Sequence, residues 1–217
     1  MKKVVMARFV SLILLFFGVS FCANSKGKMK AWKELSRPEK CWTFFHPIKA
    51  QRVYKCAQRS RFVTDSLEKV GDLHGKNGGQ LDAFRHAYWM ALMITEGISE
   101  RIIRKVGAKH EKGNYLDFKK GKFEDSLRSD SMACVMDLRN NDVGITIGKE
   151  YLSGDKSISL IRAIIIQVWN GKLFIFLRNA KGDYFDCNDN LIDLKKYDAV
   201  WSIPKCLVSS DQITVEH

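Results

Sequence analysis

Two histidines stand among acids and amides in three short stretches: DAFRHAYW from Asp82 to Trp89, AKHE from Ala108 to Glu111, and MDLRNN from Met136 to Asn141. Asp82 precedes His86 by four residues, one helical turn, at which distance a carboxylate can hold an imidazole by its second nitrogen. Burying such groups without partners is expensive, so side chains from the three stretches are expected to meet. Two imidazoles with two or three carboxylates can bind a divalent metal ion or work as an acid–base pair. In that reading His86, His110, Glu111 and Asp137 form a catalytic centre, and Glu111 or His110 activates water. Asn141 and Arg85 orient groups or stabilise charge, and Arg85 can also bind an anionic part of a substrate. The rival reading is a buried polar network that satisfies its own hydrogen bonds and only specifies how helices dock.

The elements that must position these residues are mainly helices. Trp42 to Val70 reads as helical and is broken by GDLHGKNGGQ, a glycine-rich loop able to approach another backbone closely. A helix from about Gln80 to Glu96 is apolar on nearly all sides, the mark of a central buried helix, and Gly97 ends it. Ser99 and Glu100 start another, on which Ile103, Val106 and His110 share a face, and a lysine-rich loop is expected from Lys112 to Lys122. Ser129 or Asp130 caps a third helix. Its stripe of Ala133, Asp137, Asn140, Asn141, Gly144 and Gly148 lets a neighbour come close. Asn170 and Gly171 fit either a hairpin turn or the end of a helix capped by Asp155 or Ser157, and the helix is preferred. KLFIFLRNAKGDYFDCNDNLI then reads as a hairpin turning near Lys181 and Gly182, followed by extended WSIPKC. The fold class expected is mainly α (α+β): a buried helical bundle with a small C-terminal β-hairpin.

At these residues the chain resembles an uncharacterised bacterial domain family whose members share an RHxxW helix, an HE pair and an MDLxNNxxG helix in that order. The resemblance covers about Gly71 to Gly148, and the tail with WSIPKCLV is similar to exported members. Matching positions are Asp82, Arg85, His86, Trp89, His110, Glu111, Asp137, Asn140, Asn141 and Gly144. The resemblance implies no particular activity, although such domains occur in exported and toxin-like proteins.

The N-terminus has Lys2, Lys3 and Arg8, then an apolar run from Phe9 to about Phe21, the layout of a secretory signal over residues 1–22. That run is too short for a confident span, and lipid attachment at Cys22 is the rival to cleavage. The chain is therefore expected to be exported, periplasmic or extracellular, and soluble or tethered at its start. From Asn24 to Arg61 there are eleven Lys or Arg against Glu34 and Glu39, whereas the remainder holds twenty-two of each sign. Residues 23–61 thus read as a basic arm, 62–152 as the helical core and 153–217 as an extension with a helix and a hairpin. Such an arm suits an anionic membrane or cell-wall surface; no nucleic acid partner is expected. Five cysteines follow Cys22. Cys41 with Cys56 and Cys187 with Cys206 are the local pairings an oxidising compartment permits, leaving Cys134 as a buried free thiol.

The sequence thus supports a hydrolase acting on lipid or cell-wall material, with a divalent metal ion as a candidate cofactor. A small secreted phospholipase is one version, but Ala87 follows His86 where such enzymes carry an adjacent Asp. The alternative is a non-enzymatic envelope module recruited by its basic arm.

Overall fold

A computed structural model describes residues 31–122, 128–154 and 156–212. The expected signal segment 1–22, a tether at Cys22 and the cap candidate Asp155 lie outside the described residues. The chain divides into two compact units, Met1–Leu35 and Ser36–His217. In the first, residues 31–34 are helical.

The second unit is mainly helical, with α1 (Arg37–Phe45), α2 (Pro47–Val70), α3 (Gln80–Thr95), α4 (Glu100–Lys119), α5 (Ser131–Ser153) and α6 (Leu160–Trp169). Strands β1 (Phe174–Phe176) and β2 (Leu207–Ser209) form a small antiparallel sheet. The apolar circumference of α3 is explained by its place: Phe84, Ala87, Met90, Ala91 and Met93 are fully enclosed, with α2, α5 and α6 packed around them. A Cβ at Gly144 would fall 2.2 Å from the Ala87 carbonyl, and one at Gly148 2.9 Å from Ala91 Cα. These glycines let α3 and α5 run side by side in the same direction, as the small-residue stripe implied. No helix among the described residues is long and apolar enough to cross a membrane.

Several details differ from the sequence reading. The stretch from Trp42 to Val70 is two helices, because Pro47 lacks the N–H a continuous helix needs and instead opens α2 at its first position. Helix α4 runs on to Lys119 through the expected lysine-rich loop. Tyr115 and Phe118 there hold Trp201 between them, with centroid distances of 5.0 and 4.9 Å, which repays continuing the helix. Asp130 caps α5 by accepting from the N–H groups of Met132 and Ala133. Helix α6 forms as preferred and stops at Gly171, but its cap is Ser159.

The C-terminal chain does turn near Gly182, where Arg178 bridges to Tyr184. Its ladder partner, however, is the distant Leu207–Ser209. Three long-range ties fix that pairing beside the local turn. Asn140 clamps β1 with two bonds, donating to the Phe174 carbonyl and accepting from its N–H, both at 2.9 Å. Cys187 and Cys206 are joined by a disulfide, as the spacing allowed. Lys205 and Asp130 form a buried ion pair at 2.6 Å. The other expected disulfide is absent: Cys41 and Cys56 are free thiols, Cys41 exposed on α1 and Cys56 turned into the core from α2. Cys134 is free as expected but only half-buried.

Candidate functional site

Three elements bring the polar groups together. Helix α3 supplies Asp82, Arg85 and His86 one turn apart, α5 supplies Asp137 and Asn141, and α4 supplies His110 and Glu111. The His86 side chain is 3 % exposed, and its Nε2 lies 3.6 Å from Asp82 Oδ1 and 3.4 Å from Asp137 Oδ1. Asp82 accepts from the Gly78 N–H at 2.7 Å through Oδ2 and from Arg85 at 2.5 Å through Oδ1. Gly78 has φ +92, a left-handed backbone that glycine adopts without strain and that the glycine-rich loop exists to supply. Arg85 also lies 3.2 Å from His86 Nε2. Because a guanidinium only donates, this contact makes Nε2 an acceptor and places the ring hydrogen on Nδ1. Burial and then the charge of Arg85 hold the His86 imidazole down at about 3, so it is neutral near pH 7. For Asp82 burial acts the other way, but the charge of Arg85, its hydrogen bond and the Gly78 N–H outweigh it and hold the carboxyl below its ordinary value.

His110 stands next to this cluster, its ring centroid 6.2 Å from that of His86 and 5.8 Å from that of Trp89. Its Nδ1 meets Glu39 Oε1 at 3.0 Å. Burial alone would lower the His110 pKa, yet the bond to Glu39 and the charge of Glu111 raise it. Reciprocally, burial would raise the Glu39 carboxyl, but His110 and the Ser36 N–H bring it down to about 2. Glu111 is buried, accepts from Asn114 at 3.0 Å, and is pushed up by burial. The Cys134 thiol, 4.0 Å from the Glu111 carbonyl, is pushed up by burial and the adjacent carboxylates.

The two asparagines of the NN pair have different tasks. Asn140 is consumed by the clamp on β1. The carboxamide of Asn141 is 4 % exposed and makes no well-formed hydrogen bond among the described residues, and the same holds for His86 Nδ1. Even so, Asn141 acts on the His86 ring in favour of its protonated form. A cavity of about 50 Å³ lined by Gly107, Met90 and Asn141 reaches this amide from between α3, α4 and α5. Gly107 keeps it close: a Cβ there would sit 3.0 Å from Asn141 Nδ2.

Glu39 was not among the residues singled out in the sequence, since seventy-one positions separate it from His110. Its only local signal was the S-x-x-E spacing of Ser36 and Glu39, with Pro38 between them, which marks a helix start.

Residues 40–172 match the family described as a domain of unknown function, DUF6973. The chain belongs to that family. The DUF6973 match extends well beyond the stretch from Gly71 to Gly148 that carries the motifs, and holds every residue of the cluster except Glu39, one position before it. No curated protein and no solved structure matches the chain.

Proposed function

We propose that the chain is an exported hydrolase acting on lipid or cell-wall material. The observation that carries this reading is the Glu39–His110 dyad, set beside the buried Asp82–His86–Asp137 cluster. A carboxylate on Nδ1 fixes the His110 tautomer and stabilises its charged form, leaving Nε2 to take a proton from water, which is the division of labour in histidine base catalysis. His110 therefore fits the base role better than Glu111, whose carboxyl is already engaged by Asn114. The side chain of Arg85 is 32 % exposed, so it faces both solvent and the cluster and can meet an anionic substrate group.

The test is hydrolysis of phospholipids, phosphoesters and peptidoglycan fragments by the wild type, His110→Ala and Glu39→Gln. Loss of one activity by about 100-fold in His110→Ala, with a smaller loss in Glu39→Gln, is the expected result. Equal turnover by all three proteins, or none on any substrate, counts against the proposal.

A second reading, an envelope-associated binding module, is favoured by the corner between α1 and α2. Phe44, Phe45 and Ile48 are each more than 70 % exposed there, and residues 40–64 hold six Lys or Arg and no acid. Apolar and aromatic side chains among cations suit the surface of an anionic bilayer. Binding to anionic vesicles without any hydrolysis would support this reading in place of the first.

A further inference from the structure

The contacts of His86 with its carboxylates are the wrong length for hydrogen bonds and the right length for something else. At 3.4 and 3.6 Å, Nε2 stands beyond the usual range to Asp137 and Asp82. Ligand atoms about 2.0–2.2 Å from one ion in tetrahedral arrangement are separated by about 3.3–3.6 Å. We propose that Asp82, His86 and Asp137 form a binding site for a divalent first-row metal ion, zinc or manganese, and that Arg85 competes with the ion for the same atoms. This deepens the hydrolytic reading and rests on the same cluster, since such an ion would polarise the attacked group or its water.

Three observations support the assignment. One ligand atom from each residue falls within 4.8 Å of the other two, and all three residues are buried. Two neutral or anionic ligands one turn apart on α3, closed by a third from α5, form a rigid frame, because Gly144 fixes the separation of the two helices. The outer shell is also in place. Gly78 orients the Asp82 carboxylate through its far oxygen, and the 4 %-exposed Asn141 carboxamide stands against the His86 ring with bonding capacity to spare. Outer partners of this kind fix ligand orientation in metal sites. One imidazole with two carboxylates and no thiolate favours zinc or manganese over softer ions, and the imidazole disfavours calcium and magnesium.

Competition follows from where the guanidinium sits. Arg85 bridges Asp82 Oδ1 and His86 Nε2, and two cations cannot share these atoms at that range. Its partly exposed side chain has solvent to move into, so metal binding would turn Arg85 outward toward an anionic substrate.

Isothermal titration of the full chain with zinc and with manganese, after chelator treatment, tests this without any substrate. One ion per chain is expected, with affinity at least 10-fold weaker in Asp137→Asn and His86→Ala and about 10-fold tighter in Arg85→Gln. Circular dichroism checks the fold of each variant. Arg85→Gln changes a rim residue, so it remains informative if the buried variants unfold. Unchanged binding in Asp137→Asn and His86→Ala, no metal bound by any form, or weaker binding in Arg85→Gln would overturn the proposal. Tight stoichiometric binding with no hydrolysis would sink the enzymatic reading alone, and hydrolysis by protein that binds no ion in the titration would sink the metal site alone.

Discussion

Glu39 uses its two oxygens for two tasks: Oε2 takes the Ser36 N–H at 2.7 Å and starts α1, and Oε1 takes His110. The link between them gives the pair a signature in pH. The Glu39 carboxyl is depressed from 4.5 to about 2, so its contribution is complete above 4.5 and is lost as pH falls toward 2. The His110 pKa is raised above 6.5, so that contribution is complete below 6.5 and is lost as pH climbs through the folded value. The stability difference between wild type and Glu39→Gln should therefore be widest between pH 4.5 and 6.5, at about 1–2 kcal/mol for a partly exposed pair. Urea unfolding across the range measures it. A difference that keeps growing above pH 7 would show that the ion pair is not its source.

Helices position these residues through glycines whose replacement has unequal costs. A Cβ at Gly144 meets the backbone of Ala87, which cannot yield, so Gly144→Ala should destabilise by about 1–3 kcal/mol or more, read as a lower urea midpoint. At Gly113 the clash would be with the Ser36 side chain at 2.4 Å, and the Glu39 carboxylate lies 3.9 Å away. Gly113→Ala should push the start of α1 off α4 and break the dyad while the core survives. The expected readout is an NMR titration of His110 that moves toward the ordinary histidine value; an unchanged titration would mean α1 accommodates the methyl. How much of this was legible in the sequence depended on range. The all-apolar α3, the small-residue stripe of α5 and the placing of Asp82 one turn before His86 followed from spacing within each helix, whereas the grouping of Asp82 and His86 with Asp137 depends on how two helices pack. Glu39 was not legible, because nothing local to α1 specifies that it docks on α4. The pairing of β1 with β2 was hidden for the same reason: a nearby turn competes in sequence, but Asn140, Lys205 and the Cys187–Cys206 bond act across the fold. Proximity likewise misled for Cys41 and Cys56, which sit on separate helices, one exposed and the other buried in the core.

At the scale of the whole molecule, Glu39 of the dyad shares α1 with Phe44 and Phe45 of the exposed corner, and Ile48 stands just beyond them on α2. Glu39 and Phe45 are six residues apart on α1, about 9 Å along its axis. An enzyme held to a bilayer by that corner would have the rim of its cluster within reach of the headgroups, so the two proposed functions become one. Replacing all three apolar residues, Phe44→Ser, Phe45→Ser and Ile48→Ser, alters only exposed side chains and should leave folding and zinc binding unchanged. Cosedimentation with vesicles rich in phosphatidylglycerol should fall about 10-fold or more, since each buried apolar side chain contributes on the order of 1 kcal/mol at an interface. Wild-type binding should weaken in high salt, as the six cations of residues 40–64 require. If the cluster acts on lipid, the triple variant should lose turnover on vesicles yet keep it on a short-chain dispersed analogue. Equal losses on both substrates would place the corner in folding or catalysis. Undiminished vesicle binding, with a smaller particle in size-exclusion chromatography, would instead mark the corner as a contact between copies of the chain.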